Sequence, residues 1–101
     1  NMKNCKFIYD TGHGHVSYND TLKEIEFLKT FKDHLMHMHI CDCDGSRDSH
    51  SPIGEGNINF KELFSSIKPY NELYCLEIIF KDSKDLIKYH SSLKKILEEI
   101  Y

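Results

Sequence analysis

The chain has 101 residues, a formal net charge of -3 and 40% hydrophobic residues, enough to bury one core and too few for two domains. An acidic balance supplies no broad electrostatic attraction for nucleic acid, and no apolar run approaches the roughly 20 residues that cross a bilayer, so neither a nucleic-acid partner nor a membrane is expected. Cys5, Cys41, Cys43 and Cys75 lack both the spacing of a small disulfide scaffold and a secretory apolar segment, so a reducing, cytoplasmic setting is expected.

CKFIYD, residues 5 to 10, is a short apolar run ending in a carboxylate, and the glycine-punctuated TGHGH after it reads as a turn. Asn19 and Asp20 offer caps to an amphipathic helix in which Leu22, Ile25, Leu28 and Phe31 recur every third residue, with Thr21 and Glu24 at capping-box spacing. LMHMHIC, residues 35 to 41, is a second strand, followed by a long polar, glycine-rich loop. Asn59 starts a second helix carrying Phe60, Leu63, Phe64 and Ile67 and stopped by Pro69. LYCLEIIF, residues 73 to 80, is a third strand, leading through Asp82 and Ser83 into a last helix with Leu86, Ile87, Leu93, Ile96, Leu97 and Ile100. Strands separated by helices pair in parallel, so the βαβαβα order builds an open α/β sheet or part of a (β/α) barrel.

Side chains alternate across a strand, which assigns two faces. Met36, Met38 and Ile40 share one face of the second strand, and Leu35, His37, His39 and Cys41 the other. Tyr74, Leu76, Ile78 and Phe80 oppose Cys75, Glu77 and Ile79 in the third, and Phe7 and Tyr9 oppose Ile8 and Asp10 in the first. The apolar set suits packing under helices. The other set places Asp10, His39 and Glu77 at the carboxyl ends of three strands, where α/β active sites form. Two carboxylates and an imidazole suit a divalent ion of the Mn, Mg, Zn or Co kind and leave positions open for substrate oxygens; a simple ion pair between His39 and Glu77 is the alternative. His37, lower in the strand, is expected to support or pack rather than ligate.

The loops add His13, three residues after Asp10, and the pair Asp48 and His50, whose spacing in an extended segment turns both to one side. Arg47 is a candidate clamp for an anion or a hydroxyl, or a solvated loop residue. Gly54 and Gly56 form either a plain turn or a backbone approach to a sugar or phosphate. Cys41 and Cys43 are too few thiols for a structural zinc site and read as strand or loop residues.

Asp10-Thr11-Gly12-His13, then His37-Met38-His39 leading to Asp42-x-Asp44-Gly45, then the run Asp48 to Gly56 with Asn59-Phe60, then Leu76-Glu77-Ile78 together resemble the C-terminal part of the xylose isomerase-like TIM barrels. That superfamily contains sugar isomerases and epimerases and the endonuclease IV family of abasic-site nucleases. The resemblance covers nearly the whole chain. It implies a partial barrel, strands six to eight, with Asp10, His39 and Glu77 as metal ligands and Glu77 also an acid/base. It implies that His13 contacts substrate or, in a nuclease, joins Asp48 and His50 around a further zinc. Asp48, His50 and Arg47 are then the substrate-side residues of a sugar enzyme.

A complete barrel needs eight strands and about 250 residues. The glutamate expected from the fifth strand is missing here, so the 101 residues are expected to hold part of a site and to be inactive alone. Met2 is a candidate start, the alternative being a piece of a longer enzyme. Three parallel strands cannot close, so self-association or a missing N-terminal barrel half is expected to cover the polar face and the edges. The function expected is metal-dependent isomerisation or epimerisation of a sugar or sugar phosphate through an enediolate. The alternatives are a zinc-dependent abasic-site nuclease and a non-catalytic, structural or metal-binding remnant.

Overall fold

The computed structural model describes residues 4–101; Met2 lies outside them. Four helices accompany a three-stranded parallel sheet of order β1-β2-β3. β1 is Phe7–Asp10, followed directly by α1 (Thr11–Tyr18) and α2 (Thr21–Phe31); β2 is Leu35–Ile40, α3 is Phe60–Ser66, β3 is Leu73–Leu76 and α4 is Ser83–Ile100. Asp20, Asn59 and Asp82 each accept a backbone N–H from the first turn of the helix they precede, as the cap reading requires. The described residues form one α/β layer pair of three βα units, as in part of a barrel.

Three local expectations fail. TGHGH is the start of α1 rather than a turn, because Asp10 accepts the His13 N–H at 2.8 Å and caps a helix at once. Glu24 forms no capping box; it is buried and accepts the Tyr9 hydroxyl at 2.7 Å, while His15 Nδ1 lies 3.3 Å from its other oxygen. β3 ends at Leu76 instead of residue 80: after Glu77 donates to the Ile40 carbonyl, β2 offers no further partner, and Ile79 donates to the His50 carbonyl of the loop.

The core lies between the sheet and α2, α3 and α4, with Leu28, Met38, Ile40, Leu63, Phe64 and Ile67 fully buried. Phe7 and Tyr9 face it and Ile8 faces away, as the alternation predicts. In β2 the lower end departs from it. The β1–β2 register shifts between Phe7 and Ile8, so Phe7 pairs with Leu35 and Ile8 with His37. Met36 is the extra residue; it is 45% exposed, and Leu35, expected on the polar face, is buried in the core.

Candidate functional site

Register places Asp10, His39 and Cys75 in one row across the sheet. In-register neighbours on a parallel sheet project to the same face, so Asp10 and His39 emerge side by side away from the helices. Glu77 follows one residue beyond β3 and reaches His39 Nδ1 at 2.5 Å. One ligand atom from each of Asp10, His39 and Glu77 lies within 4.8 Å of the others, so the three expected metal ligands converge. His37 stacks on His39 with ring centroids 5.0 Å apart, and their Nε2 atoms are 3.2 Å apart, the supporting position expected for it.

The donor set fits a divalent cation: two oxygen ligands and one imidazole, on a face that is half open, leave coordination positions for substrate. In the structure the His39 ring and the Glu77 carboxylate are in direct hydrogen-bonding contact. Ligand atoms of a tetrahedral zinc stand roughly 3.3 Å apart, so these two side chains would have to separate to hold one between them.

The loop between β2 and α3 supplies the rest. Thr11, fully buried at the start of α1, accepts the Cys41 N–H at 3.0 Å and donates to the Cys41 carbonyl at 2.7 Å, joining the ends of β1 and β2 beyond their ladder. Asp42, 1% exposed, accepts four backbone N–H groups, from Cys43, Gly54, Gly56 and Ile58, at 2.9 to 3.2 Å. The N–H groups of Gly54 and Gly56 are therefore spent on the chain's own carboxylate and do not face a sugar or phosphate. Asp42 and Ser51 form an antiparallel bridge, which folds the segment carrying Asp48 and His50 back over the strand ends.

His50 has a left-handed backbone, φ 49, and its Nδ1 meets the Glu77 carbonyl at 3.2 Å. That hydrogen bond raises its pKa; burial opposes the rise, and the carboxylates of Asp48, Asp10 and Glu77 add to it. Asp48 Oδ2 is 3.5 Å from His50 Nε2 and 3.9 Å from His13 Nδ1. The trio expected for a nuclease-type zinc is thus only loosely assembled: the His13 side chain is 76% exposed, and the second tight group is Asp10, Cys41 and His50 instead. Arg47 is exposed on the loop and belongs to neither group. Burial, with the Asp10 and Asp48 carboxylates beside it, pushes the Cys41 thiol up to about 12.

Sequence reasoning named Thr11 and Asp42 only as parts of the resemblance and Glu24 only as a helix cap, and missed the buried contacts that they make. A signal existed only for Glu24, which lies four residues before Leu28 on the same helical stripe.

The family model described as Xylose isomerase-like TIM barrel matches residues 1–98. The chain belongs to that family. It is 33% identical over 96 residues to an uncharacterized protein, MJ1311, of Methanocaldococcus jannaschii, covering 95% of this chain and 32% of that one. A second uncharacterized protein of that organism, MJ1614, is 33% identical over 97 residues, covering 96% and 37%. Among solved structures, a D-tagatose 3-epimerase-like protein superposes with a TM-score of 0.81 at 33% identity, over 97% of this chain and 36% of that one. The chain thus spans about a third of the length of the relatives it matches, in agreement with three βα units of a family barrel. Among the described residues no helix is long and apolar enough to cross a membrane, and all four cysteines are unpaired.

Proposed function

We propose that the chain is the strand-six-to-eight portion of a metal-dependent sugar or sugar-phosphate isomerase or epimerase. The observation that carries this reading is the convergence of Asp10, His39 and Glu77 at the carboxyl ends of three adjacent parallel strands, together with the likeness to a solved D-tagatose 3-epimerase-like protein. A divalent cation held by these three, of the Mn, Mg, Zn or Co kind, supplies Lewis acidity to neighbouring carbonyl and hydroxyl oxygens of the sugar. Glu77 moves the proton on and off the carbon beside the carbonyl, through an enediolate. His37, stacked on His39 with their Nε2 atoms 3.2 Å apart, holds the His39 ring beside Glu77. Asp48, His50, His13 and Arg47 line the loop side, where sugar hydroxyls or a phosphate bind. The second acid/base lies outside these 101 residues.

Further protein surface is needed to complete such a site. Leu73, Ile79 and Ile87 are 67%, 71% and 69% exposed along the free side of β3 and α4, and Ile8 lies open on the sheet face. In this reading the rest of a barrel, or another copy of the chain, covers them.

The test is hydrogen exchange. The intact protein, loaded with Mn, Mg, Zn or Co, is incubated with ketohexoses such as tagatose, and with their phosphates, in deuterated water. Deuterium at the carbon beside the carbonyl, together with epimer or aldose, is expected, and Glu77→Gln abolishes both while still binding the sugar. Cleavage of abasic-site DNA without any sugar exchange would overturn the reading in favour of a nuclease; neither activity would leave the non-catalytic remnant.

A further inference from the structure

Glu24 is 1% exposed, and a carboxylate buried to that degree needs a partner for each oxygen. Its oxygens point to different elements: one accepts the Tyr9 hydroxyl of β1 at 2.7 Å, and the other stands 3.3 Å from Nδ1 of His15 in α1. His15 is the basic side chain within ion-pair reach of Glu24 among the described residues, and it is buried too. Its second nitrogen, Nε2, lies 2.7 Å from Oδ1 of Asn57 in the β2–α3 loop. The Asn57 amide gives its own hydrogen to the Asp44 carbonyl at 3.2 Å, so Oδ1 is the acceptor and His15 Nε2 the donor. Tyr9, Glu24, His15, Asn57 and Asp44 thus form one hydrogen-bonded line from the sheet, through α2 and α1, to the loop.

None of these residues belongs to the ligand group of Asp10, His39 and Glu77, yet two walls of the candidate site rest on the line. α1 carries His13 two positions before His15, and the loop carries Arg47, Asp48 and His50 between Asp44 and Asn57. The backbone N–H of Asn57 donates to the Cys43 carbonyl at 2.9 Å, so the two ends of the loop are tied together where His15 meets them. The turn at Asp44 and Gly45 also packs on the ring: a Cβ at Gly45, φ 91, would stand 3.5 Å from the His15 ring and 3.0 Å from Asn19 Oδ1. Asp42 ties the loop to itself; His15 ties it to α1. An apolar side chain at position 15 would fill the space without fixing a direction, whereas a polar line with every member partnered specifies one arrangement.

We propose that His15, backed by Glu24 and Tyr9, is a positioning residue: it fixes the wall carrying His13 against the loop carrying Arg47, Asp48 and His50, and so sets the width of the mouth in which the sugar binds. The effect on substrate rests on the sugar reading above; the strut itself does not. One proton lies between His15 Nδ1 and Glu24 whichever of them carries it, so the line holds by hydrogen bonding and needs no net charge. His15 touches no reacting atom. It therefore acts on substrate affinity and leaves proton transfer alone.

Amide hydrogen exchange and steady-state kinetics on the intact protein test it together. Asn57→Ala cuts the line at its exposed end and leaves Glu24 untouched. His15→Phe cuts it in the middle; since that strands a buried carboxylate, Glu24→Gln combined with His15→Phe takes its place where the single variant does not fold. In both, the amides of Ser51, Gly54 and Gly56, all bonded to Asp42, are expected to exchange about two- to tenfold faster, the range set by one ordinary hydrogen bond. Those of Met38 and Ile40 in β2 are expected to keep their rates in Asn57→Ala. KM for the sugar in the deuterium assay rises by a similar factor while kcat is kept. Glu24→Gln, which offers an oxygen to Tyr9 and a hydrogen to His15 Nδ1, retains the parent's loop exchange and KM. Unchanged loop amides in the cut variants, loop and strand amides accelerating equally in Asn57→Ala, or a fall in kcat at constant KM would overturn the proposal. A parent protein that exchanges no sugar deuterium fails the sugar reading alone, and the loop amides then decide for or against His15.

Discussion

Replacing Asp42 tests whether one carboxylate holds the loop that carries the candidate site. Its Oδ1 takes the N–H groups of Cys43 and Ile58, and its Oδ2 those of Gly54 and Gly56. Hydrogen bonds to a charged acceptor contribute about 1.5 to 3 kcal/mol each, and a buried donor left bare costs about 1 to 3 kcal/mol. Only the Cys43 residue is fully buried, and the donors of Gly54, Gly56 and Ile58 recover water when the loop loosens. The expected cost of Asp42→Ala is therefore about 3 to 5 kcal/mol rather than the sum of four bonds. Asp42→Asn keeps one acceptor oxygen and turns an NH2 group toward two N–H donors, so it costs about 2 kcal/mol. Urea unfolding followed by far-ultraviolet circular dichroism at neutral pH measures both, with the same slope expected for all three proteins. An Asp42→Ala protein within about 0.5 kcal/mol of the parent would refute the idea that this carboxylate organises the loop.

Gly14→Ala normally gains about 1 kcal/mol in a helix; here the added Cβ meets the Tyr9 hydroxyl and displaces it from Glu24, so a loss of about 1 to 3 kcal/mol in the same urea titration is expected, and a gain would refute the packing account. Tyr9, Tyr70 and Tyr74 all have phenols raised by burial, Tyr70 to about 12. A phenol raised in the folded state holds its proton longer there than in the unfolded chain, so its contribution is complete below about pH 10 and is lost as pH climbs through the folded value. Stability is expected to fall above about pH 10, with phenolate absorbance of these three appearing together with unfolding; free titration of all six tyrosines in a still-folded protein would contradict their burial.

What the sequence revealed was whatever depends on neighbours along the chain. Asp20, Asn59 and Asp82 announce helices because a cap acts within one turn. His39 and Glu77 declare themselves by their place at strand ends, and alternation puts them on the face away from Phe7, Tyr9 and Met38. What stayed hidden depends on partners far along the chain. The glycines of TGHGH look like turn residues, yet Gly12 and Gly14 are there because Cys41, Asp48 and Tyr9 crowd a helix. Asp42 resembles any loop aspartate until residues 54 to 58 wrap around it. Cys41 reads as a strand residue until Asp10 and His50, 31 and 9 positions away in sequence, arrive beside it.

The register of β1 against β2 decides whether a site exists at all. Continued without interruption from the Phe7–Leu35 pair, Ile8 would oppose Met36, Tyr9 would oppose His37 and Asp10 would oppose Met38. Since opposed residues of parallel strands share a face, that pairing would turn His37 into the core beside Tyr9 and leave Asp10 level with a methionine. A histidine buried there lacks a partner, and Met38 would leave the core cluster in which it is fully buried. The one-residue shift at Met36 removes both costs. It returns Met38 to the side of Tyr9 and aligns His39 with Asp10, so the same packing preference that fills the core also assembles the ligands. The pattern of β2 alternates without a break, and only the partner strand reveals where the extra residue is spent.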